Sequence, residues 1–254
     1  MRVLFLEVVD STQQIAAEWV QRNDRSWDAV GAEHQVAGRG RLGARWHDEP
    51  GTSLLVSLVL WDVPLPKPPH LISIGAALAT AEALEQCFPP LQVGLKYPND
   101  LMVHGRKLGG VLVEMVGGTA VVGIGVNLAQ REFPEPLRET AISVRQAFGM
   151  LMTSPLSQAE AHKLATRATR TRLIQQIGTR LKALIAELAQ SGTHALHARW
   201  QARDVTPGRP YQVLDLPDQP TGVALRVEPD FRLHLRLANG EKYSTYWVHA
   251  VPSP

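Results

Sequence analysis

GRGRLGARW, residues 38–46, is the stretch on which the reading of this chain turns. It sets Arg39, Arg41 and Arg45 on a loop whose glycines, Gly38, Gly40 and Gly43, open backbone conformations closed to other residues. Arginine is a permanently charged, planar fork that matches phosphate and carboxylate oxygens. Several of them on a flexible loop point to closure over an anion. A solvated basic loop and a patch for nucleic acid are the competing readings of the same residues.

The rest of the chain narrows these options. Its 254 residues suffice for one large core and a small satellite domain. With 26 basic against 24 acidic side chains it carries a formal charge of +2, which argues against a protein that coats a polyanion. The single Cys87 excludes an internal disulfide framework, fits a reducing compartment, and lies in an apolar helical pattern as a core residue. No run reaches the length of a membrane span, and MRVLFLEVVD is too short and too soon acidic for a signal peptide. The cytoplasm is the expected location.

Upstream of the loop, residues 2–9 read as a strand. A helix opens at Asp10 and Ser11 and runs to about Arg22, with Ser11 and Gln14 at capping-box spacing. Residues 28–37 read as a second strand leading into the arginines. Downstream, 52–61 is a nearly continuous apolar run, typical of a strand buried on both faces. A proline-rich connector, 64–69, precedes a buried helix over 70–86. Residues 91–97 lead as a strand into the turn Pro98-Asn99-Asp100, and 107–116 with 119–127 form a hairpin around Gly117-Gly118. From about Ser157 to Ala189 the period is helical; Arg167, Arg170, Arg172 and Arg180 read as its solvated face, and Gly178 as a point of bending. After Trp200 come short β-prone pieces with an Asn239-Gly240 turn, which suggest a small closed or nearly closed barrel. The expected domains are 1–202 and 203–254.

Four segments carry chemistry, and none is a Walker loop or a Rossmann fingerprint. Asp10-Ser11-Thr12-Gln13 is a helix cap by itself, but free N–H groups and hydroxyls there can also grip a polar ligand. Gln35 and the arginine loop form the second. KYPNDLMVHGRKLGGVLVE, 96–114, puts Lys96, Asn99 and Asp100 at one turn and Lys107 at a strand start, followed by Gly109 and Gly110, where another group comes close to the backbone. VVGIGVNLA, 121–129, thins one face of a strand at Gly123 and Gly125 and ends on Asn127.

In this order the segments resemble the biotin protein ligase family. Its pattern is a Ser-Thr-Asn helix start, a GRGRxGRxW loop, a KWPND turn with a downstream Lys-Leu-x-Gly, and a GIGxN strand. The counterparts here are STQ, GRGRLGARW, KYPND with KLGG, and GIGVN, while AISV at 141–144 is similar to the family's ATSL element. The resemblance covers about residues 3–200, and 205–253 looks like the family's C-terminal domain. It implies an α+β fold: a mixed-sheet catalytic domain similar to the class II aminoacyl-tRNA synthetase core, with a small SH3-like β-barrel. It also implies a two-step reaction, in which biotin and ATP give biotinyl-AMP and a lysine of a biotin carboxyl carrier domain then takes the biotinyl group.

The roles implied by the resemblance are as follows. Ser11, Thr12, Gln13 and Gln35 hold the polar atoms of biotin. Gly38, Arg39, Gly40 and Arg41 cover its carboxylate and the adenylate phosphate. Lys107 is the main electrostatic stabiliser, with Arg39 and Arg41 beside it, and Gly110, Gly123 and Gly125 leave room for the ligand. Trp46, Lys96, Asn99 and Asn127 serve the nucleotide together with Arg41, and Asp100 serves Mg²⁺. The loop is expected to order over biotinyl-AMP. Departures from the pattern are Gln13 for Asn, Ala44 for the third loop arginine with Arg45 as its stand-in, Tyr97 for Trp, and Phe231 at a turn position where Gly is usual. With the first strand starting at Val3, no helix-turn-helix is expected before it, and no operator binding. Monomers and homodimers are both compatible with the resemblance. A lipoate–protein ligase is the nearest rival, a nucleic-acid-binding module the rival of another class, and a relative that binds biotin without catalysis the third.

Overall fold

The apolar runs on either side of the arginine loop become neighbouring strands of one sheet. The computed structural model describes residues 1–151 and 156–251. It has β1 (Val3–Val9), α1 (Thr12–Arg22), β2 (Ala29–Gln35), β3 (Ser53–Val59), α2 (His70–Cys87), β4 (Gly94–Lys96), β5 (Asp100–Val103), β6 (Arg106–Val116) and β7 (Thr119–Asn127). These strands form a seven-stranded sheet in the order β1-β2-β3-β7-β6-β5-β4. β1 and β2 run parallel, joined through α1, and the other neighbouring pairs are antiparallel. The fold is therefore α+β with a mixed sheet.

Central β3 is buried at every position, as its unbroken apolar run requires. On one face, Ala16 and Trp19 of α1 pack against Val30, Val59 and Val121. The other face carries α2, which is buried from Leu71 to Leu84 except at Ser73 and Glu82. Beyond α3 (Val144–Leu151) and α4 (Gln158–Leu164), α5 (Arg167–Ser191) lays Leu173, Ile177, Leu181 and Leu184 into the same core, followed by α6 (His194–Gln201).

The C-terminal segment forms β8 (Pro210–Val213), β9 (Thr221–Val227), β10 (Leu233–Leu237), β11 (Lys242–Thr245) and β12 (Val248–Ala250). This five-stranded antiparallel sheet has the order β11-β10-β9-β8-β12. Its end strands share no ladder among the described residues, so it is open at that seam. Residues 252–254 of the expected C-terminal domain lie outside the described residues.

Several local expectations are corrected. Ser11 makes no side-chain cap bond and Gln14 instead reaches Glu18, so the capping box does not form. Gln35 takes over the cap, because its Oε1 accepts the Thr12 N–H at 2.7 Å. The helical stretch from Ser157 breaks at Ala165 into α4 and α5, whereas α5 runs straight through Gly178, which is buried under Met1. Arg170 is not solvated. It is 3% exposed, and its Nη2 donates to both Glu33 carboxylate oxygens at 2.7 and 2.6 Å. Residues 100–103 pair as β5, a strand too short to show a period. Phe231 adopts the left-handed φ of 62° that favours glycine. It is fully buried, with its ring edge-on to Trp200 at 6.1 Å. That burial offsets a backbone cost of about 1–2 kcal/mol.

Candidate active site

Ser11, Arg39 and Lys107 line a single cavity of about 540 Å³, the size of a small-molecule site. Its floor is the sheet. Gly123 and Gly125 on β7, Gly110 on β6 and Asp100 on β5 follow one another across neighbouring strands, with Gly110 opposite Gly125 and Asp100 opposite Gly110. At about 4.8 Å per strand, the floor from β7 to β5 spans roughly 10 Å.

One end is uncharged. The start of α1 and β3 bring Thr12, Gln13 and Ser57 together. Thr12 Oγ1 lies 3.0 Å from Gln35 Oε1 and 2.9 Å from Ser57 Oγ. Ser57 donates to Gln13 Oε1 at 2.9 Å, and Gln13 Nε2 donates to the Val121 carbonyl at 3.1 Å. Ser11 Oγ is buried at the cavity wall with no partner among the described residues. A buried unpartnered hydroxyl costs about 1–3 kcal/mol unless a ligand satisfies it. Ser57 was not legible as a site residue: it sits in an otherwise apolar run, and only its polarity there hints at a role.

The other end is ionic. Asp100 Oδ1 is 2.7 Å from Lys107 Nζ, and Asp100 Oδ2 is 2.9 Å from Lys96 Nζ. Burial drives the Asp100 carboxyl up, but the two ammonium groups outweigh it and hold it below its ordinary value. Gly110 has no side chain, so Lys107 can lie across it; a Cβ there would sit 3.4 Å from Nζ. Asn99 Nδ2 donates to the Val111 carbonyl at 2.8 Å, and Asn99 Oδ1 accepts from Arg41 Nη1 at 3.0 Å. Arg41 also reaches the Val248 carbonyl at 3.3 Å. Burial lowers the Arg41 pKa, and Asp100 opposes that.

The loop is a tight hairpin. Gly40 N–H donates to Ala44 O at 2.6 Å, Trp46 N–H to Gly38 O at 2.9 Å, and Leu42 takes a φ of 51°. Trp46 lies on Gly125, where a Cβ would be 2.6 Å from its ring. Its indole nitrogen is buried without a partner among the described residues.

Of the site residues read from the sequence, all but Gly38 line this cavity. Gly38 is packed beneath Trp46 and faces a second hollow outside the loop. Other assignments change in detail. The space above Gly123 and Gly125 is filled by the protein's own Gln13 and Trp46 rather than left open. Trp46 rests on Gly125 of β7. Each end of the Asn127 amide already has a partner, since Nδ2 donates to Ile142 O and Oδ1 accepts from Gln130. Arg45 lines the cavity and donates through Nη2 to Val36 O at 2.7 Å. Arg39 is paired with Glu114 on β6.

Asp100 does not fit a magnesium site. Both of its oxygens are spent on ammonium groups. Sequence reasoning also missed the residues that reach the cavity from the C-terminal sheet, among them Arg209 and His249, because nothing local connects them to the motifs.

Comparisons with known proteins agree with this geometry. Residues 5–130 match the model of the biotin/lipoate A/B protein ligase family. The bifunctional ligase/repressor BirA of Bacillus subtilis is 36% identical over 155 residues, covering 58% of this chain and 47% of that protein. The chain thus spans about half the length of that relative. The biotin–acetyl-CoA-carboxylase ligase of Mycobacterium tuberculosis is 29% identical over 239 residues, covering 91% and 82%. A solved biotin protein ligase from Aquifex aeolicus, in complex with biotin and ATP, shares the fold at a TM-score of 0.74 and 22% identity, over 99% of both chains. Residues 5–130 thus belong to the biotin/lipoate A/B protein ligase family.

Proposed function

We propose that this chain is an ATP-dependent biotin protein ligase, which activates biotin as biotinyl-5′-AMP and transfers the biotinyl group to a lysine of a biotin carboxyl carrier domain. The observation that carries the reading is the polarity of the cavity. A neutral hydrogen-bonding end suits a ureido ring, and a cationic end across the same sheet floor suits a carboxylate and phosphates. Similarity to the Mycobacterium tuberculosis ligase supports it.

In the first step a biotin carboxylate oxygen attacks the α-phosphorus of ATP, and the bond to pyrophosphate breaks. Two anions must meet, so the site has to neutralise charge where water is excluded. Lys107 does this by turning from Asp100 toward the reacting oxygens, while Lys96 keeps Asp100 paired. Arg41, held by Asn99, binds the phosphate side. Arg39 leaves Glu114 as the loop closes over the mixed anhydride and shields it from hydrolysis. Ser11 supplies its free hydroxyl to the ureido group, and Trp46 packs along the ligand. In the second step the neutral amine of the carrier lysine attacks the acyl carbon and AMP leaves. Mg²⁺ is part of the proposal only as an ion that accompanies ATP, without a ligand on Asp100. The same reading takes residues 1–202 as the catalytic unit and the C-terminal sheet as an SH3-like domain, in a cytoplasmic enzyme whose homodimer is one compatible assembly.

The uncharged end also separates biotin from lipoate. Ser11 Oγ is buried there without a partner among the described residues, and a ureido group satisfies it whereas a dithiolane ring does not. Most of the arginines that would make a nucleic-acid face are tied down, as in Arg39–Glu114 and Arg170–Glu33. The test is transfer of radiolabelled biotin or lipoate to a carrier domain in the presence of ATP. Biotin transfer with no lipoate transfer is expected; lipoate transfer alone, or neither, overturns the proposal.

A further inference from the structure

Tyr97 stands between Lys96 and the Pro98-Asn99-Asp100 turn, is 1% exposed, and has no part in the chemistry above. Its N–H donates to Thr206 Oγ1 at 3.0 Å, its carbonyl accepts from the Tyr211 hydroxyl at 2.8 Å, and its own hydroxyl donates to the Phe231 carbonyl at 2.9 Å. Every polar group of Tyr97 is thus held by residues beyond 202. The Tyr97 and Phe231 rings both stand edge-on to Trp200, at 6.4 and 6.1 Å. Phe231 presents its carbonyl from a left-handed backbone that burial holds in place. Burial also raises the pKa of the Tyr97 and Tyr211 phenols, so both stay protonated donors.

We propose that Tyr97 and Phe231 are a positioning pair, through which the C-terminal sheet sets the turn that carries Asn99 and Asp100 and so fixes Lys107 and Arg41 at the ionic end of the cavity. The path is short. Asn99 holds Arg41 at 3.0 Å, and Asp100 holds Lys107 at 2.7 Å. A displacement of about 1 Å in such a constellation can cost on the order of 100-fold in rate. The pair also joins two departures from the family pattern. Tryptophan at 97 has no hydroxyl to offer, and glycine at 231 would leave the carbonyl free to turn. The two changes meet in one hydrogen bond.

The kinetic part of the test rests on the proposed ligase reading; the structural part does not. Tyr97→Phe removes only the hydroxyl. We expect a drop of about tenfold in ATP–pyrophosphate exchange, with the KM for ATP raised severalfold and the KM for biotin within about twofold of the parent. We also expect faster amide hydrogen exchange over residues 95–101 of the unliganded protein, with α1 and β2 unchanged. In a Phe231→Gly background, adding Tyr97→Phe should change exchange activity by less than about twofold, because the carbonyl is no longer held. Unaltered kinetics with unaltered amide exchange overturn the pair, as do equal losses for both substrates, amide exchange that rises throughout the chain, or additive effects in the double variant. A parent enzyme that fails to exchange pyrophosphate sinks the ligase reading alone, and the amide-exchange comparison still decides on the Tyr97–Phe231 pair.

Discussion

Replacing Lys107 by methionine removes one charge and keeps most of the side chain's length. In the structure its Nζ is 2.7 Å from Asp100 Oδ1 and its side chain is 41% exposed, so the ammonium lies at the cavity surface within reach of a ligand. Lys96 remains 2.9 Å from the other Asp100 oxygen in the variant, so the carboxylate keeps one of its two ammonium partners. The fold therefore loses little. The reaction loses a charge-assisted hydrogen bond of about 1.5–3 kcal/mol at the point where carboxylate meets phosphate. At about 1.4 kcal/mol per decade, that corresponds to roughly 10- to 150-fold in the rate of adenylation. The assay is biotin-dependent pyrophosphate release, with biotin and ATP each varied. We expect kcat to carry most of the loss, since the charge that Lys107 meets is concentrated in the transition state. Pyrophosphate release within about twofold of the parent, with an unfolding midpoint also unchanged, would show that Lys107 does not carry the chemistry.

Ser11→Ala should raise the urea stability of the unliganded protein by about 1 kcal/mol or more, because it removes a buried hydroxyl that no partner among the described residues satisfies, yet weaken biotin binding up to about tenfold by calorimetry; a stability loss with unaltered biotin affinity contradicts the role given to Ser11. Arg170→Met should lower urea stability by about 3 kcal/mol, since it strips Glu33 of a buried partner; a change below about 1 kcal/mol would mean that the pair contributes little. Burial depresses the His70 pKa from about 6.5 to about 4, with Asp230 opposing. The folded value is the lower one, so this contribution is present above pH 6.5 and is lost as pH falls through 4. Of order 2 kcal/mol of stability should vanish over that window in the parent and not in His70→Phe, which keeps a ring against Tyr246; parallel pH profiles of the two proteins contradict it.

Much of this molecule was legible in the chain because its signals are local. The buried run of β3, the Gly117-Gly118 and Asn239-Gly240 turns and the period of α5 each follow from neighbours a few residues apart. The motif residues were legible for the same reason: a glycine-rich arginine loop and a KYPND turn are contiguous. What failed was partner choice. Ser11 looked like half of a capping box with Gln14, but Gln35, distant in sequence, does the capping and frees the serine. Arg170 looked solvated because a helical face shows no sign of the Glu33 that waits on β2. Asp100 looked like a metal ligand until Lys96 and Lys107 closed on its two oxygens.

By itself, then, the order of residues determined which side chains this protein brings to its chemistry and which segments carry them, since composition and spacing along a strand or loop are one-dimensional properties. Tertiary structure alone decided which of those groups are free to meet a ligand and which are spent on each other. Hydrogen bonds and ion pairs act over about 3 Å in space, and the distance between Tyr97 and Phe231, or between Arg41 and Val248, is not written anywhere in the chain until the two sheets have packed.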